Sequence, residues 1–117
     1  NTLNVKKGGT AGIVQMARLF SLSSGVTALG TRQRLLESAA AGGVSERGAN
    51  DLVDAFDYLN SITLRHQAAQ LREDTVPDYN IDPNKLGKMD REHLRDSFQI
   101  IKGIQNALAT KYLVRNI

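Results

Sequence analysis

Residues 45–73 read SERGANDLVDAFDYLNSITLRHQAAQLRE, and this stretch decides the fold. Apolar side chains recur every three or four positions from Ala49 to Leu59, which is the spacing of an amphipathic helix. Ser45 is a suitable N-cap, and no proline interrupts the stretch before Glu73. The sequence therefore predicts one continuous helix that is roughly 40 Å long.

Three further helices are predicted around this long one. Thr10 and Thr31 are candidate N-caps for the first two, and glycines follow both helices, with Gly25 ending the first. A fourth helix follows a loop with two prolines, and its predicted apolar face is Leu94, Phe98, Ile101, Ile104, Leu108 and Tyr112. The predicted ranges of the three helices are about 11–24, 31–41 and 88–114.

The pattern as a whole predicts an all-α fold. No stretch alternates β-branched and aromatic residues over several positions, so strands are not expected. Two long helices joined by one loop are typical antiparallel partners, and the first two helices complete an antiparallel bundle of about four main helices, two of them long.

Length and composition limit the class of protein. The chain has 117 residues, of which 41% are apolar and 23% are charged, as in an ordinary single globular domain. It has no cysteine, which excludes disulfides and cysteine-based metal sites, and no segment typical of a membrane span or a secretory signal. We therefore expect a cytoplasmic protein. Because the chain starts at Asn1 rather than Met, we expect residues 1–117 to be one domain excised from a longer protein.

The charge does not favour a nucleic-acid partner. The net charge is +3 and the isoelectric point is about 9.5. However, no run of Lys or Arg exceeds two residues, and the chain has no Trp and only 5% aromatic residues. A basic groove with aromatic stacking partners is therefore not indicated.

The core face of the long helix becomes polar halfway along. Continuing the apolar face at helical spacing gives Asn60, Thr63, His66, Gln67 and Gln70. Buried polar groups need partners, so these side chains form a hydrogen-bonded network, line a wet cavity, face another domain or lie at a solvated helix end. Leu64 and Leu71 flank them, so we expect this end of the helix to pack on something.

Two other segments have the chemistry of binding sites. Lys6-Lys7-Gly8-Gly9 precedes a helix, where free N–H groups favour an anion, although the Walker pattern is absent. The loop from Pro77 to Pro83 combines two prolines, two aspartates, an asparagine and a tyrosine, which suits a turn or a rigid recognition loop. His66 and His93 lie on different helices without a metal-binding pattern, so no catalytic or metal-ligating residue is predicted.

These motifs together resemble a known family. The matching segments are Lys6 with Gly8-Gly9, Ala17-Arg18-Leu19, Arg34-Leu35, Leu64-Arg65-His66-Gln67 with Gln70-Leu71, and Pro77-Asp78 with Ile81-Asp82-Pro83. They occur in the order seen in the nucleotidyltransferase substrate-binding domain family. One departure is that Tyr79-Asn80 stands where the family has Asn-Tyr, so the individual roles of these two residues are not assigned.

The resemblance implies a helical C-terminal partner of a bacterial or archaeal nucleotidyltransferase domain in the same chain. Such signalling proteins often carry CBS modules or a cyclic-nucleotide-binding domain as well. The Gly-Ser and paired-carboxylate motif of the catalytic domain is absent here, so the resemblance implies that this domain alone is not an enzyme and has no cofactor. Magnesium and a nucleoside triphosphate would belong to the parent protein.

The function expected from the resemblance is to bind or position a substrate, either a nucleotide or a protein. The alternative is a structural or regulatory module that forms a homodimer or couples sensory domains to the catalytic domain. The candidate substrate-binding residues are Lys6, Gly8, Gly9, Arg18, Arg34, Arg65, His66, Gln67, Gln70, Asp78, Tyr79, Asn80 and Asp82.

Overall fold

The computed structural model of the chain describes the backbone of residues 1–115 and the side chains as far as residue 111. Its helices are α1 (Ala11–Ser24), α2 (Thr31–Ala40), α3 (Glu46–Arg72) and α4 (Lys88–Arg115). This confirms the predicted all-α bundle. Within the described residues, no helix is both long enough and apolar enough to cross a membrane. Tyr112, predicted on the apolar face of α4, lies outside the described side chains.

Two of the predicted helix-end signals are confirmed. The Ser45 hydroxyl accepts a hydrogen bond from the N–H of Gly48 at 2.9 Å, which confirms the predicted cap of α3. Gly25 has φ 69°, and this left-handed conformation ends α1 as predicted.

Two predicted caps, Thr10 and Thr31, are wrong. Thr31 is the first residue of α2, and Gly30 occupies the cap position without a side-chain cap bond. Thr10 is not a cap, because it is itself helical and belongs to a π-helical turn, Lys6–Thr10, that precedes α1.

Asn4, rather than Thr10, caps the start of the continuous helical segment formed by this turn and α1. Its side-chain oxygen accepts from the N–H groups of Lys6 at 3.0 Å and Lys7 at 2.9 Å. These are two of the N–H groups that a helix start leaves without an intrahelical partner. The helical segment therefore begins several residues earlier than the sequence indicates.

The core lies between the helices. The helix α1 packs on α2, and α3 packs on both α2 and α4. Complete burial of one aliphatic side chain stabilises a fold by about 1.5–3 kcal/mol, so the core supplies much of the driving force. The largest apolar side chains that are almost fully buried are Val5, Ile13, Leu35, Leu52, Leu59, Ile62, Leu94 and Ile101.

A short antiparallel ribbon joins the start of the chain to the loop before α4. Strand β1 (Leu3–Asn4) pairs with strand β2 (Asn80–Ile81), with Leu3 opposite Ile81. The N–H of Val5 extends the pairing by donating to the carbonyl of Tyr79 at 3.0 Å. The sequence did not predict strands, because two residues are too few to show an alternating pattern.

Gly9 allows the π-helical turn to pack closely against α3 and α4. A Cβ atom on Gly9 would lie 3.1 Å from Leu59 Cδ1 and 3.4 Å from Phe98 Cζ, whereas one on Gly8 would lie 3.5 Å from Phe98 Cε1. The first distance is tighter than ordinary van der Waals contact. Packing therefore explains the glycine at position 9 without a ligand at the turn.

We expect Gly9→Ala to lower the free energy of unfolding by about 1–2 kcal/mol, because its methyl group would press on Leu59. Gly8→Ala is the matched control in the same turn and should change that free energy by less than about 1 kcal/mol. Urea denaturation of both variants measures the difference. Equal effects would contradict the packing explanation.

Candidate functional site

Three polar side chains at the end of α3 hold the following loop through one residue, Asp78. His66 Nε2 lies 2.8 Å from Asp78 Oδ1, and Gln67 Nε2 donates to the Asp78 carbonyl at 3.0 Å. Gln70 Oε1 accepts from the Asp78 N–H at 2.9 Å. We call these four residues the Asp78 clamp. For His66, Gln67 and Gln70, the polar face of α3 is therefore a hydrogen-bonded network.

The other two residues of the predicted polar face are outside the clamp. The Thr63 hydroxyl donates to the carbonyl of Leu59 one turn earlier, at 2.6 Å, and Asn60 is exposed. Only the last two turns of the polar face therefore take part in tertiary structure.

The clamp favours the ionised form of Asp78. The hydrogen bond with His66 lowers the pKa of the Asp78 carboxyl, and the backbone N–H of Asn80, which donates to the same oxygen at 3.0 Å, lowers it further. His66 and Asp78 thus form a hydrogen-bonded pair in which Asp78 is held as a carboxylate. The bond from Asn80 also fixes the turn that leads into β2.

A second network joins α3 to the first turn of α4. Both terminal nitrogens of Arg65 donate to the Asp90 carboxylate, at 3.2 and 3.1 Å, and the Tyr58 hydroxyl donates to the same group at 3.1 Å. The Tyr58 ring stacks on His93 with 3.7 Å between ring centroids. Arg65, a predicted binding residue, therefore already has a fixed bidentate partner.

This network also shifts the pKa values of Asp90 and Tyr58 in opposite directions. The Arg65 guanidinium lowers the pKa of Asp90. Burial, reinforced by the hydrogen bond to Asp90, raises the pKa of Tyr58 from 10.0 to about 12. Both shifts favour the state in which a neutral tyrosine donates to a charged carboxylate.

Four of the predicted residues converge on a small pocket beside the clamp. The pocket has a volume of about 370 Å³, which is within the range of small-molecule sites. It also contains Lys85 and Thr2, which the sequence did not single out. Its lining is Thr2, Ile62, Arg65, His66, Asn80, Ile81, Asp82, Lys85 and Leu86.

The remaining predicted residues are dispersed. Lys6 Nζ lies 4.9 Å from the centroid of the Tyr79 ring, which is a cation–π contact next to the ribbon. Arg34 Nε donates to the carbonyl of Ala28 at 2.8 Å and fixes the loop before α2. Arg18 is exposed on α1. Neither Arg18 nor Arg34 lines the small pocket.

A larger cavity, the α4 groove, lies between α4 and the N-terminal segment and has a volume of about 550 Å³. Gly8 is the one predicted binding residue that lines it. Arg91, Arg95 and Lys102 are spaced by four and seven positions, so they share one face of α4. This spacing is the sequence signal from which a basic rim could have been predicted. The lining is Leu3, Gly8, Pro83, Arg91, Leu94, Arg95, Phe98, Gln99, Ile101, Lys102 and Gln105.

Comparison with known proteins gives one family. The family described as "putative nucleotidyltransferase substrate binding domain" matches residues 1–112, which include the clamp, the small pocket and the α4 groove. The chain belongs to this family. The description implies association with a nucleotidyltransferase domain. No curated protein and no solved structure matches the chain.

The Asp78 clamp should make stability depend on pH in acid. The folded-state pKa of Asp78 is below its ordinary value of 3.8, so the unfolded chain takes up this proton first as the pH falls. The contribution is complete above that ordinary value and is lost as the pH falls through the lowered one. Asp78→Asn should therefore flatten the loss of stability below about pH 5, measured by urea denaturation.

Asp96→Asn, at an exposed position of α4, is the control for this change and should leave the acid dependence as it is. An unchanged acid dependence in Asp78→Asn would show that the clamp does not titrate as described.

Tyr58 should titrate late in the folded protein, at a pH of about 12. Unfolded Tyr58 loses its proton near 10.0 while folded Tyr58 keeps it, so the free energy of unfolding should fall as the pH rises through this interval. Phenolate absorbance measures the titration, and Tyr58→Phe should remove the late component. Tyr79→Phe is the control and should retain it; loss of that component in the control would refute the assignment.

Proposed function

We propose that this domain binds and positions the acceptor substrate of a nucleotidyltransferase and leaves the chemical step to a catalytic domain of the same polypeptide. The observation that carries the proposal is the small pocket, where Arg65, His66, Asn80, Asp82 and Lys85 meet around one cavity. The family description supports the same role, since it names substrate binding.

The pocket is suited to recognition because its walls are fixed before a ligand arrives. Arg65 is held by Asp90, and His66 is held by Asp78. The side chain of Asp82 accepts from the N–H of Asn84 at 3.0 Å and pins the turn that carries Lys85. Preformed polar groups lose little conformational entropy on binding, so they select a ligand by geometry.

The pocket combines charges of both signs with an amide and a hydroxyl. Lys85 attracts a negatively charged group, while Asp82 accepts hydrogen bonds. This set fits a small polar molecule with donors and acceptors, or a polar side chain of a protein acceptor. A neutral apolar ligand would leave these groups without partners.

Catalysis is assigned to the neighbouring domain on chemical grounds. Nucleotidyl transfer uses carboxylates that hold magnesium beside the triphosphate. The sequence of this domain lacks the Gly-Ser and paired-carboxylate motif of that chemistry. In the proposed arrangement, magnesium and the nucleoside triphosphate bind the catalytic domain, and the small pocket faces it with the acceptor.

The test is a kinetic comparison on the intact polypeptide. We expect the double substitution Lys85→Gln and Asn80→Ala to raise KM for the acceptor by about tenfold and to change kcat little. The reason is that both residues would contact the bound acceptor equally in the ground state and in the transition state. Lys88→Gln, an exposed lysine at the start of α4, should leave KM unchanged. A double variant with an unchanged KM would overturn the pocket assignment.

One observation favours a second role as an interaction module. Leu64, Leu71 and Val76 are 68%, 63% and 82% exposed. The end of α3 packs on the following loop through the Asp78 clamp, but the described residues leave these apolar side chains mostly uncovered. Exposed apolar side chains at one end of a helix are typical of contact with another domain or a second copy. A changed sedimentation coefficient in Leu64→Gln, with unchanged KM in the pocket variant, would favour this role.

A further inference from the structure

The α4 groove is separate from the small pocket, and the ribbon divides them. The two cavities share no lining residue. Thr2 and Asp82 line the small pocket, whereas their chain neighbours Leu3 and Pro83 line the groove. A ligand in the groove would therefore be recognised by residues that the proposed substrate site does not use.

The floor of the groove is apolar and firmly packed. Leu94 and Ile101 are 2% and 1% exposed, so they are fixed in the core beneath the groove. Phe98 is half-buried, and its ring edge faces the glycine turn, 3.5 Å from the Cβ position of Gly8. The floor thus provides a rigid apolar surface for a flat group.

The rim of the groove is positively charged. Arg91, Arg95 and Lys102 line it, and its lining contains no aspartate or glutamate. Among the side chains that the structure describes, none of these three forms an ion pair, whereas Arg32 is paired with Asp57 and Arg65 with Asp90. Three cations on one helix face, without acidic partners, attract a ligand with several negative charges.

We infer that the α4 groove binds a phosphorylated small molecule of the nucleotide class. The flat, apolar part of the ligand would lie on Phe98, and its phosphates would contact Arg91, Arg95 and Lys102. Arginine is suited to this contact because its planar group donates two parallel hydrogen bonds to a phosphate.

The size and lining of the groove agree with this ligand. About 550 Å³ is within the range of small-molecule sites, which are mostly apolar with a few convergent polar groups. Gln99 and Gln105 supply such groups, with donors and acceptors for the edge of a base or a sugar. The inference is independent of the proposed substrate pocket, and each stands or fails alone.

The test is to titrate the 117-residue chain separately with ATP, adenosine and inorganic tripolyphosphate. Calorimetry measures the affinity, and amide NMR locates the residues that respond. We expect saturable ATP binding with a dissociation constant below about 1 mM and amide shifts that cluster along α4 from Arg91 to Gln105. The double variant Arg91→Gln with Arg95→Gln should raise the dissociation constant for ATP by about tenfold or more. Both arginines are exposed, so the double variant should still fold.

A matched control removes two exposed arginines from α3, in the variant Arg47→Gln with Arg72→Gln, and should bind ATP like the unmodified chain. Tripolyphosphate should bind more weakly than ATP, because it has no group for the apolar floor. Tripolyphosphate as tight as ATP, equal losses in both double variants, or binding of an acidic peptide but not of ATP would each overturn the inference. These results test the α4 groove alone, because the small pocket is tested separately by KM for the acceptor in the Lys85 and Asn80 double variant.

Discussion

The contact between α3 and Asp78 is the constraint on which the binding surface depends. Once the side chains of α3 hold Asp78, the turn at Asn80 is fixed and β2 is placed where it pairs with β1. That pairing positions the N-terminal segment, whose π-helical turn then packs on Phe98. One wall of the small pocket and one wall of the α4 groove are thus both set by the same few hydrogen bonds.

The clamp also explains how a helix of 27 residues can carry polar groups on its inward face. The first half of α3 is held by apolar contacts, whereas the second half buries Ile62 and leaves Leu64 and Leu71 exposed. His66, Gln67 and Gln70 would lose hydrogen bonds with water if they faced a dry core. Their hydrogen bonds to the backbone and carboxylate of Asp78 replace those with water, and the loop packs over the end of the helix.

The parts of the fold that the sequence predicted are those set by neighbouring residues. Ser45 and Gly25 act within one turn of their own helices, so local rules identify them. The partner of the polar stripe, the ribbon and the cap from Asn4 depend on residues that meet only after folding. The α4 groove was missed for a related reason, since the basic residues beside the apolar face of α4 resemble an ordinary solvated helix edge.

The ribbon has a consequence for the order of folding. Leu3 and Ile81 are 78 positions apart, whereas α1 and α2 are neighbours along the chain and pack directly on one another. Contacts between residues far apart in sequence have a larger entropic cost of loop closure, so they form after local contacts. We expect the helices to associate first and the ribbon to close last, with its amides exchanging hydrogen sooner than those of the core. Both cavities then exist only in the completely folded domain, and a partly folded bundle has neither.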